Sequence, residues 1–253
     1  MKLIQITDFH LQETPDTLHN GVDPEVRFNA VLAAIREEHA DCDLLLMTGD
    51  LAHHGYESAY QRIERATRHL AKQRCWLPGN HDDASKMQRF TELAQQRLIM
   101  APWDILLLDS TSQPDGVGSG SLADAELERL ANFLQAPKAP FQMVALHHPP
   151  LPVGSRWQDE IRLGNSAEFL SIVERYASDA LKLVVCGHLH QAHELALAEA
   201  KLISTPATAA QFVSFQATPQ IELRGDASLP AYRWFELDSN GCFKSAVERV
   251  PLA

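Results

Sequence analysis

The 253-residue sequence predicts an α/β fold built on parallel strands, and three features predict it. Short apolar runs alternate with amphipathic helical patterns through the first half, which implies parallel pairing with right-handed crossovers. Polar residues of metal-ligand type follow several of those runs directly, at the place where an open α/β sheet gathers its site. No repeat, low-complexity tract or linker divides the chain, so one domain over 1–253 is expected, with a β-rich part from about residue 191.

The first expected strand, 3–7, is followed by Asp8-Phe9-His10. Phe28, Val31, Leu32 and Ile35 then stand at i, i+3, i+4, i+7, one face of a helix. A second strand, 44–48, precedes Gly49-Asp50, and Tyr60, Ile63, Thr67 and Leu70 repeat the helical spacing. A short strand at 76–78 precedes Gly79-Asn80-His81, and a third helical stretch is expected over roughly 85–97. Strand 105–109 leads into a Gly/Ser-rich loop through Gly120. There Ser121 with Asp124 predicts a capping box for a helix faced by Leu127, Leu130, Ala131 and Leu134. Strand 144–146 ends at His147-His148-Pro149. After a polar loop, Asn165 with Glu168 predicts the cap of a helix faced by Phe169, Leu170, Val173 and Tyr176. Strand 183–186 ends at Gly187-His188-Leu189-His190, and Asn240-Gly241 marks a hairpin between 233–237 and 242–250.

Composition narrows the function. The formal net charge is −11, from 33 acidic and 22 basic residues, and no basic run offers phosphate neutralisation. A nucleic-acid partner is therefore not expected, and a small substrate is. No run of 18 apolar residues exists and the chain enters a strand at its first residues, so no membrane partner and a cytoplasmic location are expected. Cys42, Cys75, Cys186 and Cys242 lie far apart without C-x-x-C pairing, which points to buried reduced thiols. Aspartate, asparagine and histidine ligands without thiolate suit Mn, Fe, Co or Zn. Seven such residues exceed one closed site and fit two ions sharing a bridge.

The order D-x-H, G-D, G-N-H, H-x-P, G-H-x-H over residues 8–190 resembles the calcineurin-like metallophosphoesterase superfamily. Ile4-Gln5-Ile6-Thr7-Asp8, Trp76-Leu77-Pro78-Gly79-Asn80-His81-Asp82, Leu146-His147-His148-Pro149 and Cys186-Gly187-His188-Leu189-His190-Gln191 are similar to the bacterial class III 3′,5′-cyclic AMP phosphodiesterase branch. So is Ser204-Thr205-Pro206-Ala207-Thr208 through Gln211-Phe212. The resemblance implies a four-layer α/β/β/α sandwich of two mixed sheets flanked by helices. It implies two divalent ions per chain (Fe, Mn, Zn or Co). Asp8, His10 and His190 would hold one, Asn80, His147 and His188 the other, with Asp50 bridging. His147 is preferred to His148 because the family ligand precedes x-Pro, leaving His148 behind a ligand or facing substrate alongside Asn80 and His81. His81 would be the catalytic residue, meeting a phosphoryl oxygen or the leaving alkoxide.

The activity so implied is hydrolysis of 3′,5′-cyclic nucleotides, cAMP first, to 5′-nucleoside monophosphates by metal-activated hydroxide. A broader phosphodiesterase acting on glycerophosphodiesters or 2′,3′-cyclic nucleotides is the alternative, and a metal-free protein-binding scaffold is the non-enzymatic one. The resemblance also allows a homodimer formed through the C-terminal region. Phosphoprotein phosphatases of the superfamily carry an Arg shortly after G-D, where this chain has His54, and that favours a diester monoanion. Arg156 is the cation that would weaken this preference by entering from the loop.

Several residues stay open. The 149–165 loop is either a solvated connection or a pocket wall with Trp157 or Arg156 near a nucleoside. Phe212 and Phe215 are core, wall or dimer contact. Asp82 and Asp83 either orient His81 or carry helix-start charge. His53 and His54 are evenly balanced between site and surface, whereas His19, His39, His69 and His193 read as structural. Gly49, Gly79 and Gly187 read as residues that permit tight turns.

Overall fold

The computed structural model describes residues 1–252. Strands β1 (Lys2–Ile6), β2 (Leu44–Thr48) and β3 (Gln73–Leu77) pair in parallel. They are joined through helices α1 (Pro24–Glu38) and α2 (Glu57–Thr67). After a one-turn helix α3 (Ala84–Met87), the chain crosses to a second sheet through β4 (Arg97–Met100) and β5 (Trp103–Leu107). Helix α4 (Asp124–Gln135), β6 (Phe141–Ala145), α5 (Arg156–Glu160), α6 (Ser166–Tyr176) and β7 (Leu181–Cys186) follow. The tail supplies β8 (His193–Leu197) and β9 (Ala200–Ser204) to the second sheet. It then returns β10 (Ala231–Leu237) and β11 (Phe243–Arg249) to the first. The orders are β11-β10-β1-β2-β3 and β4-β5-β6-β7-β9-β8. Antiparallel pairs at β1/β10, β10/β11, β4/β5 and β8/β9 make both sheets mixed.

Central strands such as β2 and β7 read as near-continuous apolar runs because both their faces are buried. Successive side chains point to opposite faces. Ile4, Ile6, Leu45 and Met47 meet Phe28, Val31, Leu32 and Ile35 of α1 and Tyr60 and Ile63 of α2. Leu3, Leu44 and Leu46 turn the other way, against Trp103, Ile105, Met143, Leu183 and Val185 of the second sheet. Val144 and Val184 then face Leu130 and Phe133 of α4 and Phe169 and Val173 of α6. Helix, sheet, sheet and helix thus form the four layers that the resemblance implied.

Differences from the sequence reading have local causes. The expected helix over 85–97 is a single turn, capped by Asp83. Phe90 and Leu93 then fold back on the first core, and Leu93 O accepts from Trp76 N. Residues 97–100 become an edge strand instead. Ser121 caps nothing: its backbone pairs with Ser112, and α4 starts at Asp124 without a side-chain cap. Asn165 does precede α6, yet its amide bonds Leu122 N and O, tying two loops together. Cys42, Cys75 and Cys186 are buried thiols, but Cys242, at the hairpin, is exposed. No helix among the described residues is long and apolar enough to cross a membrane.

The inter-sheet layer should contribute strongly to stability. Leu46→Ala, at a fully buried position between the sheets, is expected to cost about 2–5 kcal/mol by urea denaturation. Ile99→Lys, on a half-exposed edge strand, should shift stability by less than about 0.5 kcal/mol.

Candidate metal centre

Every motif cluster emerges at the carboxyl end of a strand. Asp8 and His10 follow β1, Asp50 follows β2, and Asn80 and His81 follow β3. His147 follows β6, and His188 and His190 follow β7. Two sheets therefore deliver these groups to one place. Buried Gln5 braces the junction beneath it: its amide donates to Thr48 Oγ1 (2.9 Å) and Cys186 O (3.0 Å) and accepts from Thr205 Oγ1 (2.7 Å).

The seven expected ligands converge. Asp50 Oδ2 lies 3.4 Å from His147 Nε2 and 3.8 Å from His10 Nε2. Asp8 Oδ1 is 3.3 Å from His190 Nε2, which is itself 3.3 Å from His10 Nε2. Asp8, Asp50 and His147 form one group able to hold an ion, and Asp8, His10 and His190 another. Asp50 approaches the imidazoles of His147 and His10, and Asp8 belongs to both groups.

Each side chain is tied at one end and free at the other. Asp8 Oδ2 accepts from Thr7 Oγ1 (2.7 Å) and His188 N (3.0 Å), and Asp50 Oδ1 accepts from His81 N (2.9 Å). The carbonyls of Thr48 and Ala210 accept only, so His147 and His190 must donate to them through Nδ1 and present Nε2 inward. Asp8 Oδ1, Asn80 Oδ1, His147 Nε2 and His188 Nε2 are buried without a hydrogen-bond partner among the described residues. Orphaned acceptors in such number are costly unless something electropositive sits among them. These donors fit divalent cations.

The electrostatics agree. Burial resists ionisation of Asp50, yet His147, His81 and His10 hold its carboxyl well below the ordinary range. Burial also disfavours charge on His147, but Asp50 and Asp8 raise it to about 9. Burial and neighbouring imidazoles push His10 and His188 well below the usual imidazole range, leaving lone pairs available for ligation.

The backbone bends to produce this. Asp8, His10, Asp50, His188 and His190 all have φ between 49° and 70°. Among the described residues, five of the ten non-glycine residues in the left-handed region are thus at this one site. Such conformations cost about 1–3 kcal/mol each and concentrate where function demands them. Gly79 permits contact more than turning: a Cβ there would strike Asp50 Oδ1 and backbone N.

His148 is not placed to touch substrate. Its Nε2 donates to Gly118 O (3.1 Å) and its Nδ1 accepts from Ser110 Oγ (2.8 Å), so both ring nitrogens are spent. It carries the 111–120 loop and packs beside His188, ring centroids 4.8 Å apart. His81 does face the open cavity of about 220 Å³, as do Asn80, Asp50, His10, His188 and His190.

Other residues appear that spacing did not mark. His19, read as structural, lines the cavity and stacks on His10 at 4.7 Å. His53 Nδ1 pairs with His10 Nδ1 at 3.3 Å, and its ring stacks on His81 at 4.6 Å. Asp82 accepts from Leu51 N, Ala52 N, Gly79 N and Tyr60 Oη at 2.9–3.1 Å, clamping the G-D and G-N-H loops together. Asp83 is a helix cap. Neither acid bonds the His81 ring. Val117, Trp157, Ile161 and Phe212 complete the cavity, whereas Arg156 pairs with Glu160 at the surface. His39, His69 and His193 are absent from its lining.

Comparison with known proteins follows this geometry. The family model for the calcineurin-like phosphoesterase matches residues 1–192. A Pseudomonas aeruginosa protein named 3′,5′-cyclic adenosine monophosphate phosphodiesterase CpdA is 31% identical over 98% of this chain and 89% of its own length. A Nostoc protein named 3′,5′-cyclic-nucleotide phosphodiesterase is 34% identical over 99% of this chain and 93% of its own. The fold is shared with a dimetal phosphatase from Danio rerio, TM-score 0.58 at 12% identity, covering 100% of this chain and 99% of that one. The motif order over residues 8–190 lies within the matched span, and the chain belongs to the calcineurin-like phosphoesterase family.

Proposed function

We propose that this protein is a metal-dependent phosphodiesterase that hydrolyses 3′,5′-cyclic nucleotides, cAMP first, to 5′-nucleoside monophosphates. The observation that carries the reading is the grouping of Asp8, Asp50 and His147 and of Asp8, His10 and His190, each within ligand reach, beside buried Asp8 Oδ1, Asn80 Oδ1, His147 Nε2 and His188 Nε2 that have no hydrogen-bond partner among the described residues. The names of the Pseudomonas and Nostoc relatives support the substrate class. Asp8, His10 and His190 would hold one ion, and Asn80, His147 and His188 the other, with Asp50 shared. Two divalent ions held there would activate water and neutralise charge on the attacking and leaving oxygens.

The chain's own groups do the rest. Thr7, Thr48, Ala210 and the His188 amide fix ligand orientation before substrate arrives. The His81 backbone holds Asp50 while its ring faces the cavity, where it would donate a proton to the 3′-oxygen as the P–O3′ bond breaks. No Lys or Arg is among the described residues lining the cavity. A diester monoanion needs less cationic compensation than a phosphomonoester dianion, so this lining favours diesters.

Manganese-reconstituted protein should hydrolyse 3′,5′-cAMP to 5′-AMP in preference to 2′,3′-cAMP and glycerophosphocholine, and Asp50→Ala should abolish turnover. Turnover of the latter two without 3′,5′-cAMP would keep the phosphodiesterase and discard the substrate. No turnover of any diester by metal-replete protein would end the reading in favour of a scaffold. His81→Ala should lower kcat by about 10²–10⁴-fold with two ions still bound, measured by steady-state kinetics beside elemental analysis. His53→Ala removes the partner of His10 Nδ1 and should weaken metal affinity by about 10–100-fold in a calorimetric titration.

A further inference from the structure

The cavity has two unlike sides. Its floor is the candidate metal centre, and beside that floor stands an aromatic wall, Trp157 and Phe212, packed edge to face with ring centroids 4.9 Å apart at 74°. Phe212 also lies 4.7 Å from the His190 ring, so the wall begins where the proposed ligands end. Val117 and Ile161 extend the apolar lining.

This wall is anchored to the ligand loop from both sides. Gln158 Nε2 donates to Leu189 O (2.6 Å), between His188 and His190. Gln191 Nε2 donates to Phe212 O (3.2 Å), and His190 Nδ1 donates to Ala210 O two residues earlier (2.5 Å). The turn carrying Trp157 is stiffened in turn: Asp159 accepts from Val153 N and Gly154 N, and Ser155 Oγ accepts from Phe215 N. Such bracing exceeds what a solvated connection requires. The Trp157 Nε1 donor is buried and unpartnered, so the ring is held by packing instead of by its polar handle.

We infer that Trp157, backed by Phe212, is the residue on which the nucleobase of the substrate packs, and that it separates cyclic nucleotides from base-free phosphodiesters. The inference rests on the phosphodiesterase reading and adds a specificity-determining residue to it. A phosphate at the floor fixes one end of a nucleotide, and the adjoining aromatic surface offers a π-face to the other. Base–aromatic stacking tolerates any base because every base has such a face. Trp157 therefore sets selection for a nucleoside, and the choice among bases lies elsewhere in the pocket.

The test uses manganese-loaded wild type, Trp157→Leu and Trp157→Phe, each with metal content measured. Steady-state constants for 3′,5′-cAMP are compared with inhibition by 5′-AMP and by ribose 5-phosphate. Trp157→Leu should raise KM for 3′,5′-cAMP about 10–100-fold with a much smaller change in kcat. It should also erase the advantage of 5′-AMP over ribose 5-phosphate, while Trp157→Phe keeps most of both. An unmoved KM in Trp157→Leu, or equal inhibition by the two phosphates in wild type, would overturn the inference. A fall in kcat and metal content together would assign Trp157 a structural role and overturn it as well. If wild type itself hydrolyses no phosphodiester, it is the functional reading that fails, a result distinct from all of these.

Discussion

The structure is organised around one electrostatic constraint: two buried carboxylates, Asp8 and Asp50, share a small volume with His10, His147, His188 and His190. Burying a carboxylate is costly unless hydrogen bonds and opposite charge compensate it. One oxygen of each acid is satisfied by the chain, through Thr7, His188 N and His81 N, and the other is turned to the centre. Carboxylate oxygens and imidazole nitrogens held in this way are groups that a divalent cation would bring together.

Holding such a site open requires stiffness from both sheets. The β1/β2 pairing continues past the strand ends, with Asp8 N donating to Gly49 O, His10 N to Asp50 O and Leu11 N to Leu51 O. Gly187 N donates to His147 O across the second sheet. Gln5 and the His147–Thr48 bond then join one sheet to the other. The left-handed conformations at five proposed ligands are tolerated because these bonds over-determine the loops. The same architecture positions the aromatic wall, since Gln158 and Gln191 fasten it to the loop that carries His188 and His190.

Errors in reading the sequence share a cause. Ser121 and Asn165 have the right residue type and spacing for caps, but each found a non-local partner, Ser112 and Leu122. The 85–97 stretch has helical composition, but Phe90 and Leu93 are drawn onto the first core and the chain must cross to the second sheet. His148 looked available to substrate because it adjoins a motif residue, and Ser110 and Gly118 use up its nitrogens instead. His19 carries no motif, and only a tight turn closed by Val22 brings it to His10. In each case a long-range hydrogen bond or packing contact overrode a local propensity.

The sequence by itself determined the strand–helix alternation, the family and the set of ligand-type residues. Those features are local: apolar runs of strand length, and short motifs that must directly follow a strand to be delivered to its end. Tertiary structure decided how the motifs are used. Which oxygen of Asp8 and Asp50 is left free, which nitrogen of His147 and His190 points inward, and whether His53, His81 or His148 meets the cavity depend largely on partners distant in sequence, such as His188 N for Asp8 and Thr48 O for His147. No spacing rule encodes such partners. They exist only once two sheets pack face to face and their carboxyl ends share one rim.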